Sequence, residues 1–332
     1  MPISRSRRNL LRGAACATLA AGAAWTSGAW AQPAWPARSV TMVVPFPPGG
    51  VADTVARPVA DAMSRELKQP VVVENRAGAG GAVGIGVVAR APADGYTVLL
   101  SLSSISILPE ADLILERKPA YQMSQFKPIA RFTADPTVFV VRADAPWKSL
   151  DEFIADAKAR PGTYNYGSSG NYGTMHVPME MLKNAAGFRM THIPYTGAGP
   201  AVMALLAGQV DAVASGPATV VQQINGGKLR ALAHWGDQPL AALPGVPSLQ
   251  QAGYDVKFAQ WSGLFVPAGT PDEVVRRLRT ASARVAANPA VAQVIEKAGS
   301  PLAYLDAPAF QTYWNADAST MTEAVRKIGK VE

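Results

Sequence analysis

From Ser39 onward the sequence repeats one unit: a short β-branched run, a loop rich in Gly, Ser and Pro, then an apolar pattern of helical period. "SVTMVVPF" leads to "PPGGVAD" and a helix through about Leu67, "PVVVEN" to "RAGAGGAVG", and "GYTVLLS" to "LSSIS". "TYNYG" leads to "SSGNYGT" and "MHVPMEMLKNAAG", "MTHIPY" to "TGAGP" and "AVMALLAG", and "VDAVAS" to "GPATVVQQINGG". A strand followed by a helix does not pair with the next strand through a tight hairpin; the helix carries the chain over to a parallel neighbour. The alternation therefore predicts an α/β chain with parallel sheets flanked by helices.

The units fall into two sets. Residues 32–137 are expected to form a first lobe and residues 138–254 a second, with "FKPIARFTADPTVFVVRAD" as an apolar bridge and the tail 255–332 returning to the first lobe. This gives two doubly wound lobes, joined by two crossings, around a central cleft. Ser149 and Glu152 form a capping-box pattern before "FIADAKA", and Pro161-Gly162 stops that helix. Thr270-Pro271-Asp272-Glu273 repeats the device and opens a long helix toward Ala298, so the tail supplies one strand and two helices. Pro58 conflicts with the first helix, because an interior proline removes a hydrogen bond; that helix is expected to start late or to kink.

The chain begins with a targeting segment, residues 1–31: Arg5, Arg7, Arg8 and Arg12, an Ala-rich apolar run, and "AWA" before Gln32 as a cleavage site. Ser6-Arg7-Arg8-Asn9-Leu10-Leu11-Arg12 resembles a twin-arginine signal, with the general secretory route as the alternative. A membrane anchor fits less well, since the run is rich in small residues and ends in a cleavable site. Lipid attachment at Cys16 would need a leucine that Gly13-Ala14-Ala15 lacks. The expected location is the periplasm. The segment holds four of the 31 Lys and Arg residues and no acid, leaving 27 basic against 24 acidic residues. That balance, with no Lys/Arg cluster, argues against a nucleic-acid partner. The single cysteine leaves with the segment, so no intramolecular disulfide is available.

In open parallel sheets the strand-to-helix loops share one edge, where helix N-termini present N–H groups without intrahelical partners and the positive end of the dipole. Anions favour that edge. Each helix end contributes about 0.3–1 kcal/mol and each charge-assisted hydrogen bond about 1.5–3 kcal/mol. Loops converging from two lobes could thus hold a small carboxylate without an arginine. In the first loop, Gly49 and Gly50 let the backbone approach a ligand and Phe46 offers an apolar wall. Asp53 either caps the first helical turn, orients water or a ligand donor, or repels charge at that end. "YGSSGNYGTMH" supplies the hydroxyls of Ser168, Ser169 and Thr174 beside Gly170. "YTGAGP" offers Tyr195, Thr196, Gly197, Ala198 and Gly199, and Ser215 precedes another helix-opening proline. Their bland reading is good turn chemistry. Trp261 stands either in the cleft wall or in the core.

Competing chemistries leave weaker marks. Ser168 or Ser169 with His176 suggests an exported hydrolase, but the loop is not G-x-S-x-G. His176, His192 and His234 lack metal-ligand spacing, so no metal is expected. Gly84-x-Gly86-x-x-Ala89 resembles a dinucleotide fingerprint, yet Glu74 to Val83 separate it from its strand, and helix packing explains the glycines as well. There is no phosphate-binding G-x-x-x-x-G-K-[ST], and no cofactor is expected.

"WPARSVTMVVPFPPGGVADTVAR", "PVVVENRAGAGGAVG", "DGYTVLL", "NYGSSGNYGTMH", "HIPYTGAGPAVMALLAGQVDAV", "KLRALA", "LPGVPSLQQAGY" and "SGLFVPAGTP" resemble, in that order, the Bug-type periplasmic solute-binding proteins of tripartite tricarboxylate transporters. Single pieces are generic, but eight in series are specific, and they cover nearly all of the chain after the leader. The resemblance implies a type II periplasmic binding-protein fold that closes on a small carboxylate ligand and delivers it to membrane permease subunits. The protein is expected to be a monomer without enzymatic activity. The resemblance places the family's loops on Phe46, Gly49, Gly50 and Asp53, on Ser168, Ser169, Gly170 and Thr174, and on Tyr195 to Gly199. One region departs from the family pattern: where a small-polar stretch with His and Asn-Pro is usual, this chain reads "SLSSISILPEADLILERKPAYQMSQF". Ser103 and Ser104 still qualify for the ligand site, while Glu110, Asp112 and Glu116 either sit on the outer surface or tilt preference toward a polar or cationic group. A sensor-kinase receptor with the same closing lobes is the alternative to transport.

Overall fold

The first units build one edge of a sheet. β1 (Val40–Val44) pairs in parallel with β2 (Val71–Asn75) on one side and β3 (Thr97–Leu102) on the other, with Val40 opposite Val71 and Thr41 opposite Thr97. This is a computed structural model, and it describes residues 35–331; the leader and its export motifs lie outside the described residues. Arg38–Glu332 form one unit, and of the preceding unit only residues 35–37 are described.

The helix after β1, α1 (Val51–Leu67), turns Val51, Ala52, Val55, Ala56, Val59 and Met63 inward, a period of three and four that buries one stripe. It starts at once rather than late, and it continues through Pro58, which lies half-buried away from that stripe. α2 (Ala82–Ala89) follows β2, and α3 (Ser104–Ile114) follows β3.

Three further strands complete this sheet: β4 (Phe126–Pro136), β10 (Ala259–Pro267) and β11 (Leu302–Asp306), in the order β11-β4-β10-β3-β1-β2. β10 runs antiparallel to both β3 and β4, and β11 antiparallel to β4. The sheet is therefore mixed, not parallel. β10 enters from the second sheet rather than through a crossover helix of its own, so nothing obliges it to run parallel to its neighbours.

The second sheet is β7-β6-β8-β5-β9, built from β5 (Val138–Arg142), β6 (Asn165–Ser168), β7 (Thr191–Pro194), β8 (Ala212–Ser215) and β9 (Leu229–His234). β6 is parallel to β7 and β8, whereas β5 is antiparallel to β8 and β9. Its helices are α4 (Leu150–Ala159), α5 (Val177–Ala186), α6 (Ala198–Leu206) and α7 (Pro217–Asn225). Ser149 caps α4 as its sequence predicts, with Oγ accepting the Glu152 N–H at 3.2 Å and Glu152 reaching back to the Lys148 N–H at 2.6 Å.

Thr137 alone separates β4 from β5, and residues 235–258 lead from β9 to β10. The two crossings are bonded together, Trp235 donating its N–H to the Thr137 carbonyl at 2.9 Å. The tail departs from its sequence reading. The long helix is two, α8 (Asp272–Ala286) and α9 (Pro289–Lys297), because Asn288 caps the second by accepting the Ala290 N–H at 3.0 Å and Pro289 opens it. β11 and α10 (Ala307–Ile328) then follow, and α10 packs on α3 beside the first sheet and on α5 beside the second.

Candidate functional site

The loops after β1, β6 and β7 face one another and enclose a cavity. Its first-sheet wall is Phe46, Pro47, Gly50, Val51, Ala52, Leu102 and Gln260. Ser169, Thr174 and Ala198 close it from the second sheet. The space left has a volume of about 10 Å³, room for one water. Gly50 and Gly197 are the N-caps of α1 and α6, so two helix N-termini reach the wall. Buried at the wall, the Ser169 hydroxyl and the Gln260 Nε2 have no protein partner. No lysine or arginine lines the cavity. A groove of about 520 Å³ beside α8 is larger, but three of its arginines are paired with acids: Arg276 with Glu273, Arg284 with Glu66 at 3.1 Å and Arg279 with Asp306 at 3.5 Å.

Asp53 does not face this space. Its carboxylate accepts the Gly49 N–H at 3.0 Å, both ends of the Arg57 guanidinium at 2.8 and 2.9 Å, and the Asn75 Nδ2 at 2.9 Å. Asn75 also donates to the Phe46 carbonyl at 3.0 Å, so Asp53 and Asn75 together fix both sides of the loop. Burial raises the Asp53 pKa, but the hydrogen bonds from Arg57, Gly49 and Asn75 outweigh it and hold the carboxyl below the usual aspartate value. Of the readings open for Asp53, the geometry supports the local one, a brace for the loop and the first turn of α1. Gly49, whose φ is 78°, points its N–H at this brace and not at the cavity.

The second loop stands on a buried polar cluster. Ser168 Oγ lies 2.6 Å from His192 Nε2 and accepts the Gly170 N–H at 3.1 Å, so it shapes the turn from behind. His176 Nδ1 accepts the Tyr172 N–H at 2.9 Å, and its ring lies 4.1 Å from that of His192. Burial lowers both imidazoles to about 3, helped by Lys183 for His176 and by His176 for His192, which keeps both neutral. Glu180 joins the cluster through Tyr166 and through Lys183 at 2.7 Å. The serine–histidine pair of this structure is Ser168 with His192, beneath the loop; neither Ser168 nor Ser169 is hydrogen-bonded to His176.

Several residues singled out in the sequence lie elsewhere. Trp261 is buried in the core against Phe310 at 5.4 Å and Tyr313 at 6.2 Å. Ser215 Oγ is 2.6 Å from Thr219 Oγ1, inside the second half. Thr196 is exposed, Gly199 touches nothing within 4 Å of a built Cβ, and Tyr195 packs beside Gly167. Ser103 and Ser104 are buried with unpartnered hydroxyls, and the Ser104 Oγ stands with Phe46 behind Gly81. Glu110 pairs with Arg326 at 2.6 Å, Asp112 accepts the Ala120 N–H at 3.2 Å and Glu116 lies 3.9 Å from Lys330, so all three acids are engaged away from the cavity. Gly84 lies inside α2, where an added Cβ would fall 2.6 Å from the Arg76 carbonyl and 2.7 Å from Pro45 Cα; helix packing accounts for it. Among the described residues no group of three His, Cys, Asp or Glu side chains is placed to hold a metal.

The two halves touch along a seam of glycines. A Cβ on Gly197 would lie 2.6 Å from Pro47 Cγ and Cδ. One on Gly216 would lie 2.6 Å from Val51 Cγ2 and 3.3 Å from Gln260 Oε1, and one on Gly170 would lie 3.1 Å from the Gly80 nitrogen. Sequence reasoning missed Pro47, Val51, Ala52, Leu102 and Gln260 of this wall, and Gln260 is the polar side chain among them. A lone long polar side chain inside the apolar strand "FAQWSGLFVP" is the signal that marks it.

Comparison with known proteins agrees with this architecture. Residues 55–329 match the model of the tripartite tricarboxylate transporter family receptor. Protein BugT of Bordetella pertussis is 37% identical over 242 residues, covering 73% of this chain and 74% of that protein. The solved structure of the periplasmic binding protein BugD shares 31% identity with a TM-score of 0.83, over 89% of this chain and 98% of that one. MatC from Rhodopseudomonas palustris, solved with bound malate, shares 29% identity with a TM-score of 0.81, over 88% of this chain and all of that one (100%). With two lobes of the periplasmic binding-protein type and a family match running nearly from the first helix to the last, the chain belongs to the tripartite tricarboxylate transporter receptor family, as a solute-binding protein of Bug type.

Proposed function

We propose that this protein captures a small organic carboxylate in the periplasm and hands it to the membrane subunits of a tripartite tricarboxylate-type transporter. The observation that carries the reading is the wall of the interlobe cavity: buried, unpartnered neutral donors beside two helix N-termini, without a cationic side chain. An unpartnered buried donor costs about 1–3 kcal/mol, a cost that a ligand oxygen removes. Helix ends and neutral donors suit a carboxylate in particular. The malate held by MatC belongs to this chemical class. The lobes meant here are residues 32–137 with 255–332, and residues 138–254. A cavity of about 10 Å³ admits one water, so an organic acid enters only when the lobes part, and it then stabilises their re-closure.

The test is a thermal-shift screen of the leaderless protein against mono-, di- and tricarboxylates and aromatic acids, with amino acids and sugars alongside, followed by calorimetry on each hit. Saturating carboxylate at a hundred times Kd should add about 2.7 kcal/mol of stability. Stabilisation by sugars or amino acids alone, with every simple carboxylate inert, would overturn the ligand class.

A further inference from the structure

We infer that Gln260 is a ligand-contacting, specificity-determining residue, its side-chain amide donating from Nε2 to an oxygen of the bound acid. The inference rests on the carboxylate reading above and adds the residue that selects within that class.

Gln260 is 1% exposed, its Nε2 has no partner in the protein, and it lines the interlobe cavity. Its backbone belongs to β10, opposite Asp135 of β4, so the residue sits where both crossings pass between the sheets. Its side chain reaches the point where the lobes meet, as the overlap of a Gly216 Cβ with both Val51 Cγ2 and Gln260 Oε1 shows. Strand alternation explains how it comes to face the cleft. Trp261, Gly263 and Phe265 turn to Phe310 on one side of β10, and Gln260 and Ser262 turn to the other, where Ser262 is already bonded to Thr133 at 2.8 Å. Of that face, Gln260 is the side chain left with an unused donor.

A neutral amide suits this position. It donates to a carboxylate or hydroxyl oxygen without the full charge of an arginine, so it favours a ligand with an oxygen at that point over one with an apolar group there, and it allows release once the lobes part.

Calorimetry on wild type, Gln260→Leu and Gln260→Glu, with the tightest carboxylate from the screen, tests this. Gln260→Leu should lose roughly ten- to a hundredfold in affinity. Gln260→Glu should lose more at pH 8, where it places an anion beside an anion, and should recover part of the loss at pH 5, where its protonated carboxyl donates again. The ratio of Gln260→Glu to wild-type affinity should therefore rise on acidification. A side chain that only fills space would let Gln260→Leu, of similar volume, bind nearly as wild type does, and that outcome overturns the inference whatever Gln260→Glu does. Wild-type binding that survives unchanged in both variants overturns the Gln260 inference and leaves the carboxylate reading standing; a wild type that binds no carboxylate at all overturns the reading itself.

Discussion

Asp135 is fully buried on β4, three residues before the second sheet begins at Val138. Burial pushes its carboxyl up from 3.8 to about 7, against the opposing hydroxyls of Ser300 and Thr133, the latter at 2.6 Å. The sign follows from proton counts: between those two values the folded chain holds a proton that the unfolded chain has lost, so stability falls as pH rises from about 4 to about 7. Asp135→Asn keeps the shape and removes the charge. Urea denaturation at pH 4 and pH 8 should show the variant gaining on wild type by a few kcal/mol at the higher pH relative to the lower one. Asp317, raised to about 6 mainly by burial, leaves a residual slope in both proteins. At this scale the sequence is least legible where a single register step decides the outcome. Gln260 and Trp261 are neighbours, and the aromatic one attracts attention as a cleft residue, yet alternation sends it to the core and the glutamine to the cavity.

The loop between β1 and α1 shows what an element can and cannot reveal of itself. Its two glycines and the acid four residues beyond Gly49 read as an anion-binding turn whose acid caps the helix, orients a ligand or water, or repels charge; the structure ties Asp53 to Gly49, Arg57 and Asn75. Asn75 is 22 residues away in sequence, at the end of the neighbouring strand, so only pairing of β1 with β2 brings it in. Long-range neighbours are likewise what the strand patterns leave out. The antiparallel entry of β10 follows from its return out of the second sheet, and β11 is a half-buried edge strand with a broken register, without the apolar alternation that marks a strand. By contrast the helix starts at Ser149 and at Pro217 of α7 are local chemistry and read directly, whereas the start at Pro289 falls inside a single long helix in the sequence reading. For the brace, Asp53→Ala should cost about 1–3 kcal/mol at pH 7 by urea denaturation. Because the Asp53 pKa is lowered in the folded chain, its stabilisation is complete above the unfolded value of 3.8 and is lost as pH falls through the lower folded value. The difference between variant and wild type should thus shrink in acid, and a gap independent of pH would assign the cost to packing.

Across the whole molecule, the fit of the two lobes depends on side chains that are missing. Gly197 and Gly216 have φ of 175° and −66°, conformations open to any residue, so an alanine at either site is not strained within its own lobe. The obstruction lies across the cleft, where each Cβ would fall 2.6 Å from Pro47 or from Val51. Gly197→Ala and Gly216→Ala should therefore leave each lobe intact but hold the lobes apart, whereas Gly199→Ala, with nothing within 4 Å, is the matched control. Since a ligand that favours the closed state can shift the balance only by its difference in affinity for the two states, disfavouring closure lowers apparent affinity directly. An overlap of this kind costs roughly 1–3 kcal/mol, which corresponds to about a five- to hundredfold loss in affinity for each alanine. Unfolding without ligand should shift by less than about 0.5 kcal/mol. Small-angle scattering should show wild type and Gly199→Ala contracting when the carboxylate is added, and the two seam variants contracting less. If the seam variants contract and bind as wild type does, the lobes meet in solution with more space than the glycines leave them here.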